Sequence, residues 1–252
     1  MPITETAQKN HDALFPNHQS TLKRTDPEFI EVFDNFAFDE VLRHGAVETK
    51  TRLMVILASL IAQHTLAEYK VMLGAALNVD VTPVEAKEIL YHSVPYVGVA
   101  KAFEFLHATN DVLAARGVAL PLPGQSTTTP DDRFEKGLAV QKAIFGDRID
   151  AMYAQSPPSQ IHIQEFLSAN CFGDYQTRTG LDLKTRELLT FAILLSLGGC
   201  EPQLKGHIQG NANVGNDKAF LLAVVTQLLP FIGYPRALNA IACLNEVLPG
   251  AS

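Results

Sequence analysis

The chain has no tryptophan and only three cysteines, and its charge excess is not positive. Cys171, Cys200 and Cys243 are too few and too scattered for a disulfide framework, so free thiols are expected. The most apolar stretch, Leu188 to Leu197, is about half the length that a membrane-spanning helix requires. Twenty Lys and Arg against 27 Asp and Glu leave a net charge of −7. No global positive field would therefore hold a nucleic-acid backbone or an anionic membrane, and neither partner is expected. The opening residues, MPITETAQKNHDALFPNHQSTLKR, mix charge and polarity where a secretory leader needs an apolar core. A soluble, cytoplasmic protein is the expectation. HExxH, CxxC, a glycine-rich phosphate loop and carboxylate-histidine metal spacings are all missing, so no bound metal, nucleotide or other cofactor is expected.

What is present is 252 residues, 47% of them hydrophobic and 19% charged, which excludes disordered and collagen-like chains. The length allows one large domain or two small ones, and an internal repeat decides between them. Lys50, Thr51, Arg52, Ala58 and Leu60 recur in the same order as Lys184, Thr185, Arg186, Ala192 and Leu194. Further on, Lys70, Asn78, Pro95, Gly98, Ala102 and Asn110 recur as Lys205, Asn213, Pro230, Gly233, Ala237 and Asn245. The offset grows by one residue between the two sets, which places an insertion in Gly198-Gly199, before Cys200.

Each copy reads as helices. Asp26-Pro27 starts one, with Asp capping and Pro in the first turn, and the apolar pattern runs to about Leu42. Thr65-x-x-Glu68 and Thr82-Pro83-x-Glu85 resemble capping boxes, giving helices near 48–63, 66–78 and 83–93, and a fourth after Pro95 near 99–115. The second copy repeats this order near 182–197, 201–213, 217–229 and 235–247. Strand-like alternation is not evident, so the fold class is all-α, with two tandem helical modules. The expected division is an N-terminal arm (1–25), mobile or embracing a partner, a first module (26–116), a Pro-, Gly- and Thr-rich linker (117–130) and a second module (131–252).

Chemistry concentrates in Leu197-Gly-Gly-Cys-Glu-Pro-Gln-Leu-Lys-Gly-His207, where Cys200, Gln203 and His207 fall within roughly 60° of one another around a helix. At a helix N-terminus the Cys200 thiol would be acidified, although a half-buried capping cysteine needs no reactivity. His207, among small and polar neighbours, suits proton transfer near neutrality, and the plain alternative is a histidine satisfied by a backbone carbonyl. In the first copy Thr65, Glu68 and Met72 occupy the equivalent positions, so the Cys/His set is not duplicated. Glu68 is either a cap or a carboxylate facing the pocket. Glu187 is either catalytic or a first-turn acid that complements the helix dipole.

At these residues the sequence resembles the carboxymuconolactone decarboxylase family, which includes alkylhydroperoxidase D type peroxidases. Phe172 to Glu187, Cys200 to His207 and Pro230 to Asn239 carry the likeness, which spans about residues 30–113 and 133–248. The resemblance implies an all-α fold, a site on a helical hairpin, and self-association, as trimers for tandem forms. The peroxidase branch uses Glu and then Cys-x-x-Cys-x-x-x-His. Glu187, Cys200 and His207 match that pattern but Gln203 replaces the second cysteine, leaving only a one-cysteine cycle using Cys200. The decarboxylase branch keeps the Glu-Pro-x-Leu-x-x-His run found at Glu201 to His207. It implies a cofactor-independent carboxy-lyase acting on a small acidic lactone such as 4-carboxymuconolactone. In that reading His207 is the general acid, and Glu68 or Glu187 orients it. Gln203, Arg178 and Arg186 bind the substrate, although Arg52 repeats Arg186 and both could serve buried ion pairs. A non-catalytic oligomeric binding protein is the third alternative.

Overall fold

The structure is a computed structural model and describes residues 1–16 and 20–250. Among these residues every regular element is helical. The first copy comprises α1 (Glu5–Leu14), α2 (Leu22–Thr25), α3 (Pro27–Asn35), α4 (Thr49–Ala62), α5 (Leu66–Asn78), α6 (Pro83–Val97) and α7 (Val99–Ala115). The second comprises α8 (Arg133–Phe145), α9 (Arg148–Gln155), α10 (Ile161–Phe166), α11 (Leu183–Leu197), α12 (Glu201–Asn213), α13 (Lys218–Ile232) and α14 (Tyr234–Val247). The starts of α3 to α7 recur 134 or 135 residues later as those of α10 to α14. The duplication in sequence is thus a duplication in structure. No helix among the described residues is long and apolar enough to cross a membrane.

α4 and α11 pack against each other in the middle of the molecule. Their residues Arg52 to Ala62 and Arg186 to Ser196 are buried without interruption, and the Ser196 hydroxyl donates to Ser59 at 2.8 Å across the contact. A helix that is apolar around its whole circumference needs cover on every side. Each copy provides some for the other, with α6 lying on α11 and α13 on α4. The two modules therefore share one core.

Four local expectations need correction. The first helix does not reach Leu42 as a regular α-helix, because α3 widens into a π-helical stretch at Phe36–Glu40. Its counterpart in the second copy is Leu167–Gln176, after α10. Residues 1–15 of the expected arm are not free. Ala7, Leu14 and Phe15 are buried in the core, the Thr4 amide donates to Asn35 Oδ1, and Asn10 Nδ2 donates to the Phe38 carbonyl. α1 packs on the first π-helical stretch just as α8 packs on the second. The Thr65-Glu68 capping box does not form, since the Thr65 hydroxyl donates to the Leu60 carbonyl instead, whereas the Thr82-Glu85 box is complete.

Finally, α6 and α13 run on through Pro95 and Pro230 to Val97 and Ile232. A proline in the last turn forfeits a single backbone bond. Each helix then stops at a glycine with positive φ, Gly98 at +83° and Gly233 at +76°.

Candidate active site

Glu187 and His207 face each other from α11 and α12. His207 Nδ1 lies 2.8 Å from Glu187 Oε2, with the carboxylate fully buried and the imidazole 15% exposed. The other carboxylate oxygen accepts from Gln176 Nε2, at the end of the second π-helical stretch. Asn211, one turn beyond His207, donates to the carbonyls of both Glu187 and His207 at 2.8 Å, and its own oxygen accepts from Asn216. Backbone and side chain of the pair are therefore held together. With Nδ1 engaged by the carboxylate, the proton sits there in the neutral ring, and Nε2 is the nitrogen able to exchange a proton with a substrate.

Two rings bracket the imidazole edge-on, Phe145 at 5.3 Å and Tyr96 at 6.2 Å between centroids. Tyr96 comes from the first copy. Thr190 donates to the Tyr96 hydroxyl at 2.9 Å and meets His92 Nε2 at the same distance, so α6 and α11 are joined by a buried polar chain. Burial and the nearby Arg186 charge push the His92 imidazole well below its ordinary range, which keeps it neutral. Burial likewise raises the Tyr96 phenol. The Cys171 thiol, which interacts with Tyr96, is pushed up to about 12.

The other expected site residues behave differently. Arg186 is fully buried and donates to Glu88 Oε2 and to the Arg178 and Thr179 carbonyls. Arg178 forms a bidentate pair with the same Glu88. Arg186 is thus a buried structural cation, and Arg178 pairs with Glu88 in a cleft that does not include His207 or Glu187. Gln203 lies exposed on the outer face of α12. Glu68 stays in the first copy, half-buried, with no bond to His207 or Glu187. The Cys200 thiol is not acidified. It donates to the Leu194 carbonyl at 3.2 Å, and burial raises its pKa, because desolvation of a thiolate outweighs the helix N-terminus here. Its neighbours are Arg236, Asn239 and Ala240 on the side of α14, away from the imidazole's partners. Among the described residues no three His, Cys, Asp or Glu side chains converge as a metal cluster would.

The equivalent place in the first copy separates fold from function. Leu53 stands where Glu187 does, Met72 where His207 does, Ile56 where Thr190 does and Ala76 where Asn211 does, and Leu53, Met72 and Ala76 are fully buried. Phe231 and Gln227 of α13 take the places of Tyr96 and His92. The module therefore folds with an apolar core at these positions. A buried charged pair in the second copy is not needed for packing.

The carboxymuconolactone decarboxylase family model matches residues 27–111 and 162–246, more than half of the chain. The chain belongs to the carboxymuconolactone decarboxylase family. Both matches begin at the start of a helix that widens into a π-helical stretch, and both end within the last helix of a module. A 4-carboxymuconolactone decarboxylase of Acinetobacter baylyi is 28% identical over 118 residues, covering 46% of this chain and 87% of the relative. This chain therefore carries two modules of the family, of which one holds the Glu187–His207 pair.

Tyr96, His92, Thr190, Gln176, Asn211 and Phe145 escaped sequence reasoning. The signal for most of them was in the repeat, at positions where one copy is polar and the other apolar. Tyr96 was hidden by a helix boundary wrongly placed at Pro95. Because α6 continues, His92 and Tyr96 are one turn apart on one face, with ring centroids 5.6 Å apart.

Proposed function

We propose that this chain is a cofactor-independent carboxy-lyase for a small acidic lactone of the 4-carboxymuconolactone kind, with His207 as general acid. One observation carries the reading: a buried carboxylate holds a partly exposed imidazole by Nδ1, at positions the first copy fills with Leu53 and Met72. In such a reaction the bond between the ring carbon and its carboxylate breaks, CO2 leaves, and the electron pair enters the conjugated lactone as a furanolate. The ring carbon next to the lactone carbonyl, at the far end of the furanolate, then takes a proton from His207 Nε2, and the carbon that lost CO2 becomes part of the enol double bond. Glu187 stabilises the protonated ring and fixes its tautomer, and Gln176 holds Glu187. We take Arg148 as the cation that receives a substrate carboxylate. Its guanidinium reaches to 4.0 Å from where a Cβ on Gly206 would stand, one residue before His207.

The one-cysteine peroxidase reading is the less favoured one, since Cys200 donates to the Leu194 carbonyl and burial raises its pKa. The test is ultraviolet-monitored conversion of 4-carboxymuconolactone by the wild type, His207→Gln and Arg148→Ala. Turnover in the wild type, falling about 10²–10⁴-fold in His207→Gln and with a raised KM in Arg148→Ala, is expected. No turnover by the wild type removes this substrate, and unchanged turnover in a folded His207→Gln chain removes the general-acid assignment.

We also infer that copies of the chain associate through apolar faces that both modules expose. Phe29 and Val32 on α3 have their equivalents in Ile163 and Phe166 on α10, and Val99 and Phe103 on α7 in Tyr234 and Leu238 on α14. All eight are more than half exposed. A trimer would cover each face with an equivalent one.

A further inference from the structure

A second cleft, of about 440 Å³, opens between α6, the Arg178 loop and the linker segment Leu120 to Gln125. It shares no lining residue with the Glu187–His207 pair. Lys87 is more than nine-tenths buried on its wall, and its ammonium donates only to the neutral Asn110 Oδ1. No carboxylate pairs with it among the described residues, and burial alone depresses its pKa. Opposite, Arg178 lies over the Tyr91 ring, 5.0 Å from its centroid. Arg178 and Arg186 share the single carboxylate of Glu88. Lys87 and Arg178 against Glu88 leave the cleft lining with a charge of about +1, and the fully buried Arg186 adds a further cation behind Glu88.

The fold does not require this arrangement. In the second copy Leu222, Ala223 and Thr226 stand where Lys87, Glu88 and Tyr91 do. A buried ammonium without a counter-ion is costly unless something anionic meets it. The volume suits a small organic ligand.

We propose that the linker cleft binds a small dicarboxylate, one carboxylate taken by Lys87 and the other by the outward N–H groups of Arg178. This site is independent of the proposed lyase chemistry. The linker, tied to the second copy through Thr179 N to the Gln125 carbonyl and Thr127 Oγ1 to the Thr177 carbonyl, forms its roof.

Isothermal titration with succinate tests it on the full chain. Wild type and His207→Gln are expected to give saturable one-to-one binding that weakens as salt is added. Lys87→Leu, the residue type the second copy carries at this position, is expected to bind at least roughly tenfold more weakly, while Lys87→Arg retains binding. Absence of saturable heat with the wild type overturns the proposal. So does binding that survives Lys87→Leu, that disappears in His207→Gln, or that is as weak in Lys87→Arg as in Lys87→Leu. Turnover of the lactone bears on the other site alone, so the two readings fail separately.

Discussion

At the scale of single residues, the site depends on one absent side chain. Gly210 sits on α12 beneath the carboxylate, and a Cβ there would stand 2.8 Å from Glu187 Oε2 and 2.8 Å from Phe145 Cε1. Neither neighbour can retreat easily, because Glu187 is bound by His207 and Gln176 and Phe145 is wedged against His207 and Phe172. Gly210→Ala is expected to lower turnover about 100-fold, by displacing the carboxylate about an ångström, and to cost about 1–3 kcal/mol of stability. Activity assays and thermal melts check both. Unchanged turnover would mean that the position of Glu187 does not matter. Glu68 provides a contrasting case, since burial raises its pKa above the ordinary 4.5. For an acid with a raised folded value, stability present in the protonated form is lost as pH rises through that value. Glu68→Gln is therefore expected to melt above the wild type at pH 7, with the gap closing below pH 4.5. A gap that stays constant with pH would show that the carboxyl is not desolvated.

At the scale of elements, the second π-helical stretch and α8 meet backbone to backbone. A Cβ on Gly137 of α8 would overlap the Ser168 carbonyl and the Gly173 amide, and one on Gly173 would overlap the Arg133 carbonyl. This contact fixes both ends of the site, because α8 ends at Phe145 and the π-helical stretch ends at Gln176. π-Helical geometry at a functional site is a recurrent association, and here it belongs to both copies, so the module and not the chemistry requires it. Gly137→Ala is expected to lose about 1–3 kcal/mol or more through overpacking. Gly124→Ala, where an added Cβ meets nothing within 4 Å, serves as the neutral control. Equal melting temperatures for the two would show that α8 can move away without cost.

At the scale of the whole molecule, the duplicated exposed faces predict assembly. Light scattering after size exclusion is expected to give the mass of three chains at micromolar concentration, and a combined Phe29→Glu and Phe166→Glu chain is expected to elute as a smaller species. A monomeric wild type would count against the shared-face reading. The single chain already shows why duplication matters to the site. α6 of the first copy supplies Tyr96 and His92 to a pair on the second, while α13 returns Phe231 and Gln227 to the apolar equivalent. One copy supports and the other carries the Glu187–His207 pair.

The helical class, the tandem repeat and the one-residue insertion at Gly198-Gly199 were all legible in the sequence, as was the choice of Glu187 and His207, which the fold brings together. Each depends on local periodicity or on comparing two stretches of one chain. The roles of Arg178, Arg186 and Cys200 were not. A guanidinium that would bind a substrate and one that neutralises Glu88 are the same residue until α6 is laid against α11. A thiol at a helix start is acidic or inert according to how much water reaches it. Charge, dipole and spacing are written along the chain, whereas desolvation and the choice of partner come from packing between distant segments, and they decided which of the expected residues meet one another.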